Sequence, residues 1–404
     1  MTAPAASPSS RATVPLVASV RDLRVHFATR AGEVHAVDGI SFDIRDGETL
    51  GLVGETGCGK SVTARSFLRL VKAPPGIFAG GTIDFWSKDA RLAGDDPVDL
   101  LTVPGDELLA IRGERIAMIF QDPGKALNPA LSIGDQVAEV FYEHRSEDLV
   151  DALDGRVTWL VQRAARQRAT AVERMLLRIP PWRRAVAKLH RHVDQLVARA
   201  LAEVQIANPR KIMDSYPHEL SGGMKQRVMI AQALACNPDL LIADEPTTAL
   251  DVTIQARILR LIAELKERHR TSVLYISHDL SLVRQICDRV AVMYAGQIVE
   301  IGDTMDVFNH PLHPYTRGLM AAVPSASMRR GKLAAIDGNV PELVDPPPSC
   351  HFHGRCFAAV DLCRRLDPAL IESMPAHRVA CFAYSNPEEL GVSPDALPTL
   401  EGTW

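Results

Sequence analysis

The sequence predicts an α/β fold built around a mostly parallel β-sheet. Short apolar segments with the length of buried strands alternate with helical patterns along most of the chain. A glycine-rich loop lies between one of these strands and the helix that follows it. Two adjacent carboxylates directly follow a later strand. Because alternating β and α elements are typical of parallel sheets, these features together indicate the fold class.

The bulk composition narrows the class of protein. The 404 residues are enough for more than one domain, and a hydrophobic share of 47% is typical of globular proteins. The net charge of −4 gives no support to general nucleic-acid binding. We find no apolar run of about 20 residues, and the Ala/Pro/Ser-rich start lacks an apolar signal core. We therefore expect a disordered segment over residues 1–17 and a cytoplasmic protein that reaches a membrane only through a partner.

The first elements are predicted strands. Residues 20–27 and 34–44 alternate apolar and polar side chains, which favours a small antiparallel sheet. Residues 50–53 form a short buried strand before the glycine-rich loop, and a helix is predicted over 61–71. Three further buried strands are predicted at residues 116–120, 240–243 and 272–276. One face of an amphipathic helix is marked by Ile254, Ile258, Leu261, Ile262 and Leu265.

A basic helical insertion is predicted from about residue 145 to 205. Between Arg156 and Arg199 there are 11 Lys and Arg against 2 Asp and Glu. Pro180-Pro181 divides this segment into two helices. The simpler interpretation is a solvated elaboration. The alternative is that its arginine face lies near anionic lipid headgroups. This face includes Arg163, Arg166 and Arg168.

The glycine-rich loop has the G-x-x-x-x-G-K-S spacing of a phosphate-binding loop. Its members are Gly54, Glu55, Thr56, Gly57, Cys58, Gly59, Lys60 and Ser61. The glycines let backbone N–H groups turn toward an anion, and the next helix adds its positive N-terminal end. Lys60 can reach the β- and γ-phosphates, and the Ser61 hydroxyl can coordinate Mg²⁺. The loop predicts ATP and Mg²⁺ binding, and we expect alkylation of Cys58, at a freely varying position, to block it by bulk.

Polar residues follow three of the predicted strands, at the edge where ligands gather in parallel sheets. Asp244 ends a buried strand and can hold Mg²⁺. Glu245 comes next and is the candidate general base that polarises the attacking water. His278 follows the next strand and can hydrogen-bond the γ-phosphate. Gln121 can contact both Mg²⁺ and the attacking water.

A second anion site is predicted where Ser221, Gly222 and Gly223 open a helix. Asp251 ends a further motif, which begins at Thr248, and is assigned to the nucleotide as well. The Ser221 motif does not belong to the chain's own phosphate loop. One chain with two half-sites therefore implies a head-to-tail dimer, in which each ATP lies between one subunit's phosphate loop and the other subunit's Ser221.

Taken together, these motifs resemble the nucleotide-binding subunit of an ABC transporter over roughly residues 18–300. The resemblance implies a P-loop NTPase (RecA-like) core with an antiparallel β-subdomain and a helical subdomain. It also implies ATP hydrolysis coupled to the movement of separate membrane subunits. We expect the ATPase domain at 18–297, with the helical subdomain and its insertion at about 122–236. Phe27 and His35 are the candidates for the aromatic residue that stacks on adenine.

The segments 302–304 and 313–319 resemble the end of dipeptide and oligopeptide importer ATPases, whose family also transports nickel complexes. This resemblance implies two permease subunits, a second ABC ATPase (a paralogue or a copy of this chain) and an extracytoplasmic solute-binding protein as partners. The subunit would lie at the cytoplasmic face of the cell membrane, held there through the permease. The alternative is a soluble ABC-type ATPase acting on nucleic acid through the basic insertion, although no nucleic-acid partner is expected.

A cysteine-containing C-terminal extension is predicted over 298–386, followed by a loose tail over 387–404. Four of the seven cysteines lie in this extension: Cys350, Cys356, Cys363 and Cys381. Four thiolates suit either Zn²⁺ or an iron–sulfur cluster, and the paired knuckles usual for zinc are absent. The importer ATPases share this cysteine pattern, which implies a [4Fe–4S] cluster. Zinc and metal-free thiols are the alternatives. Three histidines can replace a cysteine at zinc: His351, His353 and His377.

Overall fold

The computed structural model describes residues 15–88, 96–145, 149, 180–248, 251–322 and 336–400. The strands are β1 (Leu16–Thr29), β2 (Gly32–Arg45), β3 (Thr49–Val53), β4 (Gly76–Phe85), β5 (Val98–Asp99), β6 (Ile116–Ile119), β7 (Leu240–Asp244), β8 (Ser272–Ser277), β9 (Arg289–Tyr294), β10 (Gln297–Asp303), β11 (Ile371–Met374) and β12 (His377–Val379).

The helices are α1 (Lys60–Ser66), α2 (Gly105–Ile111), α3 (Pro123–Ala126), α4 (Ile133–His144), α5 (Pro180–Glu203), α6 (Pro209–Met213), α7 (Gly222–Leu234), α8 (Val252–His269), α9 (Leu280–Ile286), α10 (Thr304–Asn309), α11 (Pro314–Ala321) and α12 (Pro387–Leu390). Within these described residues, no helix is long and apolar enough to cross a membrane.

An antiparallel sheet opens the fold, in the strand order β2-β1-β4-β5. Its first strand begins at Leu16, inside the segment predicted to be disordered, because Val17 and Ala18 already pack in the core at 1% and 0% exposure. Residues 1–14 lie outside the described part of the chain. The two segments with alternating patterns therefore pair as β1 and β2 in the predicted antiparallel sheet. Strand β4 extends this sheet on the other side of β1.

The second sheet has eight strands in the order β11-β12-β10-β9-β3-β8-β7-β6. Strands β9, β3, β8, β7 and β6 run parallel, as the alternation of strands and helices predicts. Strands β10, β12 and β11 then add antiparallel to β9 at one edge. The C-terminal extension therefore continues the core sheet, although the sequence after residue 297 shows little periodicity.

Helices cover the sheet and build a separate helical layer around α5. In α5 the side chains of Leu189, Val193, Val197 and Leu201 recur every four residues and are at most 2% exposed. Helix α5 begins at Pro180, since proline fits the first turn of a helix. It packs with α4 and α7. The first predicted helix of the insertion, with Arg163, Arg166 and Arg168, lies outside the described residues.

The last described residues pack against the extension. Leu390, Val392 and Leu397 contact the buried cluster of Leu362, Cys363 and Phe382. The carbonyl oxygen of Leu400 accepts a hydrogen bond from Arg317 at 3.3 Å. Residues 387–400 are therefore docked. Short turns and prolines separate the apolar side chains of this segment. The sequence therefore shows neither helical nor strand periodicity here, and the docking could not be predicted from it.

Candidate nucleotide-binding site

The phosphate-binding loop joins β3 to α1 in a conformation that needs glycine at two positions. Gly54 and Gly59 have φ values of 153° and 106°. A Cβ on Gly54 would clash with the Met293 carbonyl oxygen, and one on Gly59 with the Ala36 carbonyl oxygen. The loop is thus pressed against the end of β9 and against β2, which fixes its path.

Lys60 lies beneath this loop with its side chain folded back. It is 5% exposed, and its Nζ donates to the carbonyl oxygens of Gly54 at 2.8 Å and Glu55 at 2.9 Å. Cys58 is fully buried, and its sulfur lies 3.6 Å from Nζ of Lys60. Burial raises the pKa of the Cys58 thiol, with Lys60 acting in the opposite direction. The thiol therefore fills the space under the loop, and a reagent reaches it only when the loop opens.

Ser61 and Asp244 meet at the start of α1 and the end of β7. The Ser61 hydroxyl donates to Oδ1 of Asp244 at 2.9 Å. Asp244 is 1% exposed, and burial raises its pKa, while the Ser61 hydrogen bond lowers it. A buried carboxylate and a hydroxyl in contact are oxygen ligands of the type that Mg²⁺ binds.

Three side chains converge on the carboxylate of Glu245. The amide of Gln121 donates to it at 2.8 Å, the hydroxyl of Thr248 donates at 3.0 Å, and Nδ1 of His278 lies 3.1 Å away. Burial raises the pKa of Glu245, but the contacts with His278 and Thr248 outweigh it and lower the pKa overall. The predicted residues Gln121, Glu245 and His278 therefore form one cluster with an ionised carboxylate at its centre.

Glu245 also has an unusual backbone. Its φ is +47°, a left-handed conformation that non-glycine residues rarely adopt. Its N–H donates to the carbonyl oxygen of Ile276 on β8 at 3.0 Å. Non-glycine residues in this region often mark functional sites, since the surrounding structure must hold them there.

Ser221, Gly222 and Gly223 begin α7, in the helical layer. The Ser221 hydroxyl caps the helix by accepting the Met224 N–H at 3.4 Å, and Ser221 and Gly222 are exposed. Asp251 likewise caps α8, accepting the Ile254 N–H at 2.9 Å. Among the described residues no hydrogen bond joins residues 221–223 to the phosphate loop. This helix end is therefore open to another molecule.

The two adenine candidates occupy different surroundings in the β1–β2 hairpin. Phe27 packs against the apolar cluster of the antiparallel sheet. The ring of His35 stacks on that of His26 with centroids 3.8 Å apart. His26, Glu33 and His35 also bring three potential ligand atoms within 4.8 Å of one another. His35 therefore already has an aromatic partner, whereas Phe27 is half-buried.

The four C-terminal cysteines line one small cavity, together with Phe352 and His353. Burial raises the pKa of Cys350 and Cys381 to about 12 and also raises that of Cys356. Within the described ranges, no three of these sulfurs lie within 4.8 Å of one another, unlike the hairpin group. A tetrahedral zinc site with Zn–S bonds near 2.3 Å would hold its sulfurs only about 3.8 Å apart.

Only one of the three histidines proposed as substitute ligands lines this cavity, namely His353. Nε2 of His377 lies 2.8 Å from the buried carboxylate of Glu300, and Nδ1 of His351 donates to the Ala295 carbonyl oxygen at 2.7 Å. Both rings therefore have structural partners elsewhere.

Three residues contact the site that the sequence does not single out for it. Thr248 donates to Glu245, the hydroxyl of Tyr315 accepts the Glu55 N–H at 2.9 Å, and Arg355 lies 2.9 Å from the Glu55 carboxylate. Tyr315 and Arg355 are 260 and 300 residues from Glu55 along the chain, so no local pattern could connect them.

Comparison with known protein families identifies the family to which this chain is related. A sequence profile described as ABC transporter matches residues 37–248, which include the phosphate loop, Gln121 and Glu245. The chain belongs to the ABC transporter family. A second profile, described as oligopeptide/dipeptide transporter, C-terminal region, matches residues 299–363. The match to the first profile makes the protein an ATPase of this family, as its motifs predict.

Curated relatives match along nearly their whole length. A probable peptide ABC transporter ATP-binding protein, y4tR of Sinorhizobium fredii, is 44% identical over 91% of this chain and 95% of its own length. The dipeptide transport ATP-binding protein DppD of Bacillus subtilis is 41% identical over 91% of this chain and 94% of its own. The oligopeptide transport ATP-binding protein OppD of Escherichia coli is 41% identical over 92% and 96%.

Solved structures confirm the fold class. A dimeric ATP-binding cassette, MJ0796 in a post-hydrolysis state with ADP and phosphate, aligns with a TM-score of 0.51 and 20% identity, over 71% of this chain and 98% of that one. The cassette cbiO1 of Clostridium perfringens, part of an ABC transporter complex, aligns with a TM-score of 0.50 and 24% identity, over 73% and 92%. The core is thus an α/β P-loop NTPase.

Proposed function

We propose that this chain is the ATP-hydrolysing subunit of an importer for dipeptides, oligopeptides or a related small solute. The match of residues 299–363 to the C-terminal region of oligopeptide/dipeptide transporters carries this proposal. The names of the relatives, which are peptide, dipeptide and oligopeptide transport proteins, support the same cargo class. The cargo itself is chosen outside this chain, by the subunits that contact it.

The partners follow from this role. They are two membrane permease subunits, a second ABC ATPase and an extracytoplasmic solute-binding protein. The chain would lie at the cytoplasmic face of the cell membrane and be held there by the permeases. Its described residues contain no helix that could span the membrane, which supports attachment through a partner.

Each residue of the Glu245 cluster has a distinct role in the proposed hydrolysis. Glu245, ionised because its pKa is lowered, accepts the proton of the attacking water. Gln121 and His278 orient that carboxylate, and His278 is more than half exposed, so it can also reach the γ-phosphate. Ser61 and Asp244 would hold Mg²⁺, which neutralises charge on the phosphates when it is bound.

The second half-site belongs to a dimer. Ser221, Gly222 and Gly223 present the exposed N-terminal end of α7, where backbone N–H groups and the helix dipole favour an anion. We assign this end to the ATP of the partner ATPase, with Asp251 at the same interface. Opening and closing of the two shared sites would move the permeases.

The cysteine cavity is the proposed site of a [4Fe–4S] cluster held by Cys350, Cys356, Cys363 and Cys381. Its four sulfurs line one space, but no three of them lie within 4.8 Å of one another, which favours a group larger than a single zinc ion. Iron would keep these thiols deprotonated despite their raised pKa. The cluster would serve as a structural staple of an extension with few periodic apolar residues.

The transport proposal is tested by reconstitution with the candidate permeases and binding protein in proteoliposomes. ATP turnover should rise when peptide-loaded binding protein is added, and a Glu245→Gln subunit should abolish both turnover and uptake. If nucleic acid, rather than the permease pair, stimulates turnover, the proposal fails.

The cluster is tested by iron, zinc and acid-labile sulfide analysis after anaerobic purification, with Cys356→Ser as the control. About four irons per chain, lost in the variant, would support the cluster. About one zinc without sulfide would establish a zinc site instead, and the absence of both metals would leave free thiols.

A further inference from the structure

The segment from Cys350 to Cys356 lies between the cysteine cavity and the phosphate-binding loop. Its two end cysteines, with Phe352 and His353, line the cavity. His351, Phe352 and Arg355 make contacts in the other direction, toward the phosphate loop. We call residues 350–356 the bridging segment.

The most direct contact is an ion pair between Arg355 and Glu55, the second residue of the phosphate loop. Nη1 of Arg355 lies 2.9 Å from Oε2 of Glu55, and the two side chains are 9% and 28% exposed. The same guanidinium donates to the carbonyl oxygens of Asp337 at 2.9 Å and Ile336 at 3.2 Å. It also lies over the Tyr294 ring, 5.7 Å from the centroid. These contacts hold the Arg355 guanidinium in place independently of Glu55.

Two further contacts link the bridging segment to the loop through intermediate residues. Nδ1 of His351 donates to the carbonyl oxygen of Ala295, and the next residue, Gly296, donates its N–H to the Cys58 carbonyl oxygen at 3.0 Å. Phe352 is 1% exposed and packs against the Tyr315 ring, whose hydroxyl accepts the Glu55 N–H at 2.9 Å. Each path ends on backbone or side-chain atoms of the phosphate loop.

We propose that Arg355 is a positioning residue for ATP, which neutralises the Glu55 carboxylate and ties the bridging segment to the phosphate loop. Without Arg355, a partly buried negative charge would stand in the loop that binds the negatively charged phosphates. The same tie makes ATP affinity depend on how the cysteine-bearing extension is arranged. This inference rests on the ATPase activity of the family, and not on the peptide cargo or on iron in the cavity.

The test compares Arg355→Gln, Glu55→Gln and the double variant by ATP affinity and by turnover. Arg355→Gln should weaken ATP binding and raise KM about tenfold, while turnover at saturating ATP stays within about twofold, since Arg355 does not contact the Glu245 cluster. Glu55→Gln measures what this loop side chain itself contributes to ATP affinity. The double variant should bind ATP as well as Glu55→Gln alone, and therefore better than Arg355→Gln, because the unpaired charge is gone.

Arg365→Gln is the matched control, because Arg365 is exposed in the same extension and its guanidinium donates to the Asp361 carbonyl oxygen, away from the phosphate loop. If Arg355→Gln leaves ATP affinity unchanged, or if Glu55→Gln does not rescue it, the proposal is wrong. A variant that loses affinity together with its thermal stability, and is not rescued, shows a structural role only. An unmodified chain with no ATPase activity would instead contradict the catalytic assignment.

Thermodynamic linkage between ATP binding and the bridging segment allows a second measurement, which does not depend on ATP turnover. If ATP affinity depends on the bridging segment, ATP must in turn change the exposure of Cys350 and Cys356 by the same coupling. Thiol labelling of these two residues, in protein as purified, should slow several-fold with ATP and should lose this effect in Arg355→Gln. Cys236, at the end of the helical layer, is the internal control. Equal ATP effects in both proteins would overturn the coupling.

Discussion

The pKa values of two adjacent carboxylates in this site are shifted in opposite directions by their surroundings. Burial raises the pKa of Asp244, whereas the contacts of Glu245 with His278 and Thr248 outweigh burial and lower its pKa. Paired groups whose environments push their pKa values apart are typical of acid–base sites. The sequence order predicted which residues would meet at this sheet edge. Thr248 begins the motif that ends at Asp251, but the sequence could not predict that its hydroxyl donates to Glu245, since this contact depends on the turn that residues 245–248 form.

Replacing Glu245 by Gln should lower ATP turnover by at least about a hundredfold, because the amide cannot accept the proton of the attacking water. ATP affinity should remain, since the phosphate loop is unchanged. Phosphate release and binding of a fluorescent nucleotide measure the two effects. Glu267→Gln, at an exposed position of α8, is the control and should behave like the unmodified chain. More than a tenth of the normal turnover in Glu245→Gln would assign the base elsewhere.

The motif does not show whether the Cys58 thiol is accessible to reagents. In the structure this thiol is fully buried, and burial raises its pKa above the ordinary value. We expect alkylation at pH 7 to be at least about a hundredfold slower in the native protein than in denaturant. Because only the thiolate reacts, the rate should rise with pH and continue to rise beyond pH 9, where the unfolded chain levels off. Modified protein should fail to bind ATP.

Mass spectrometry of Cys58 against pH measures this rate. Cys287, buried beside β3 with a raised pKa, reports on global opening in the same samples. Rapid labelling of Cys58 at pH 7, or full ATPase activity after its complete modification, would contradict the prediction.

At the scale of elements, four of the five parallel strands and α8 could be predicted because their apolar patterns are continuous, whereas β9 was not predicted. The extension could not, and β10 shows why. Glu300 interrupts its apolar run, yet it is fully buried, since it accepts N–H bonds from Leu312 at 2.9 Å and His313 at 2.8 Å and contacts His377 at 2.8 Å. Those partners lie up to 77 residues away. A prediction from the order of polar and apolar residues would therefore place this glutamate at the surface.

Ser221 has two roles, as the cap of α7 and as the proposed contact to ATP, and these roles can be tested separately. Aspartate caps a helix about as well as serine, so Ser221→Asp should leave thermal stability within about 1 kcal/mol. Its charge should nevertheless repel the phosphates of the partner's ATP and lower turnover at least about tenfold. Ser221→Asn, a neutral cap, is the control and should keep more activity. Equal activity of the two variants would place Ser221 outside the ATP interface.

The docked tail makes a second prediction for an element. Deleting residues 387–404 removes three apolar side chains from the cluster around Cys363 and uncovers the cavity that Pro398 and Leu400 help to line. Full burial of such a side chain is worth about 1.5–3 kcal/mol, so the loss should lower the unfolding temperature by several degrees. Cys363 should also label faster. Deleting only residues 401–404 is the control, and equal behaviour of both deletions would contradict the docking.

At the scale of the whole molecule, the phosphate loop and the Ser221 helix end belong to different layers. Helix α1 packs on β2, β7 and β8, whereas α7 packs on α3, α4, α5 and α8 and on the edge strand β6. One chain therefore presents two half-sites that do not close on each other. Because both motifs are intact, the sequence allows a pair of identical chains as well as a pair with a paralogue.

Assembly of the dimer can be trapped by blocking hydrolysis. With Glu245→Gln, ATP and Mg²⁺ should remain bound, and the shared sites should hold two chains together, since each ATP contacts both. Light scattering should then show twice the monomer mass with ATP and the monomer mass with ADP. Adding Ser221→Asp should abolish the dimer, because the partner's half of each site is lost. A monomer under all conditions would exclude pairing between identical chains, and a dimer formed only with the second ATPase of the same transporter would establish the mixed pair.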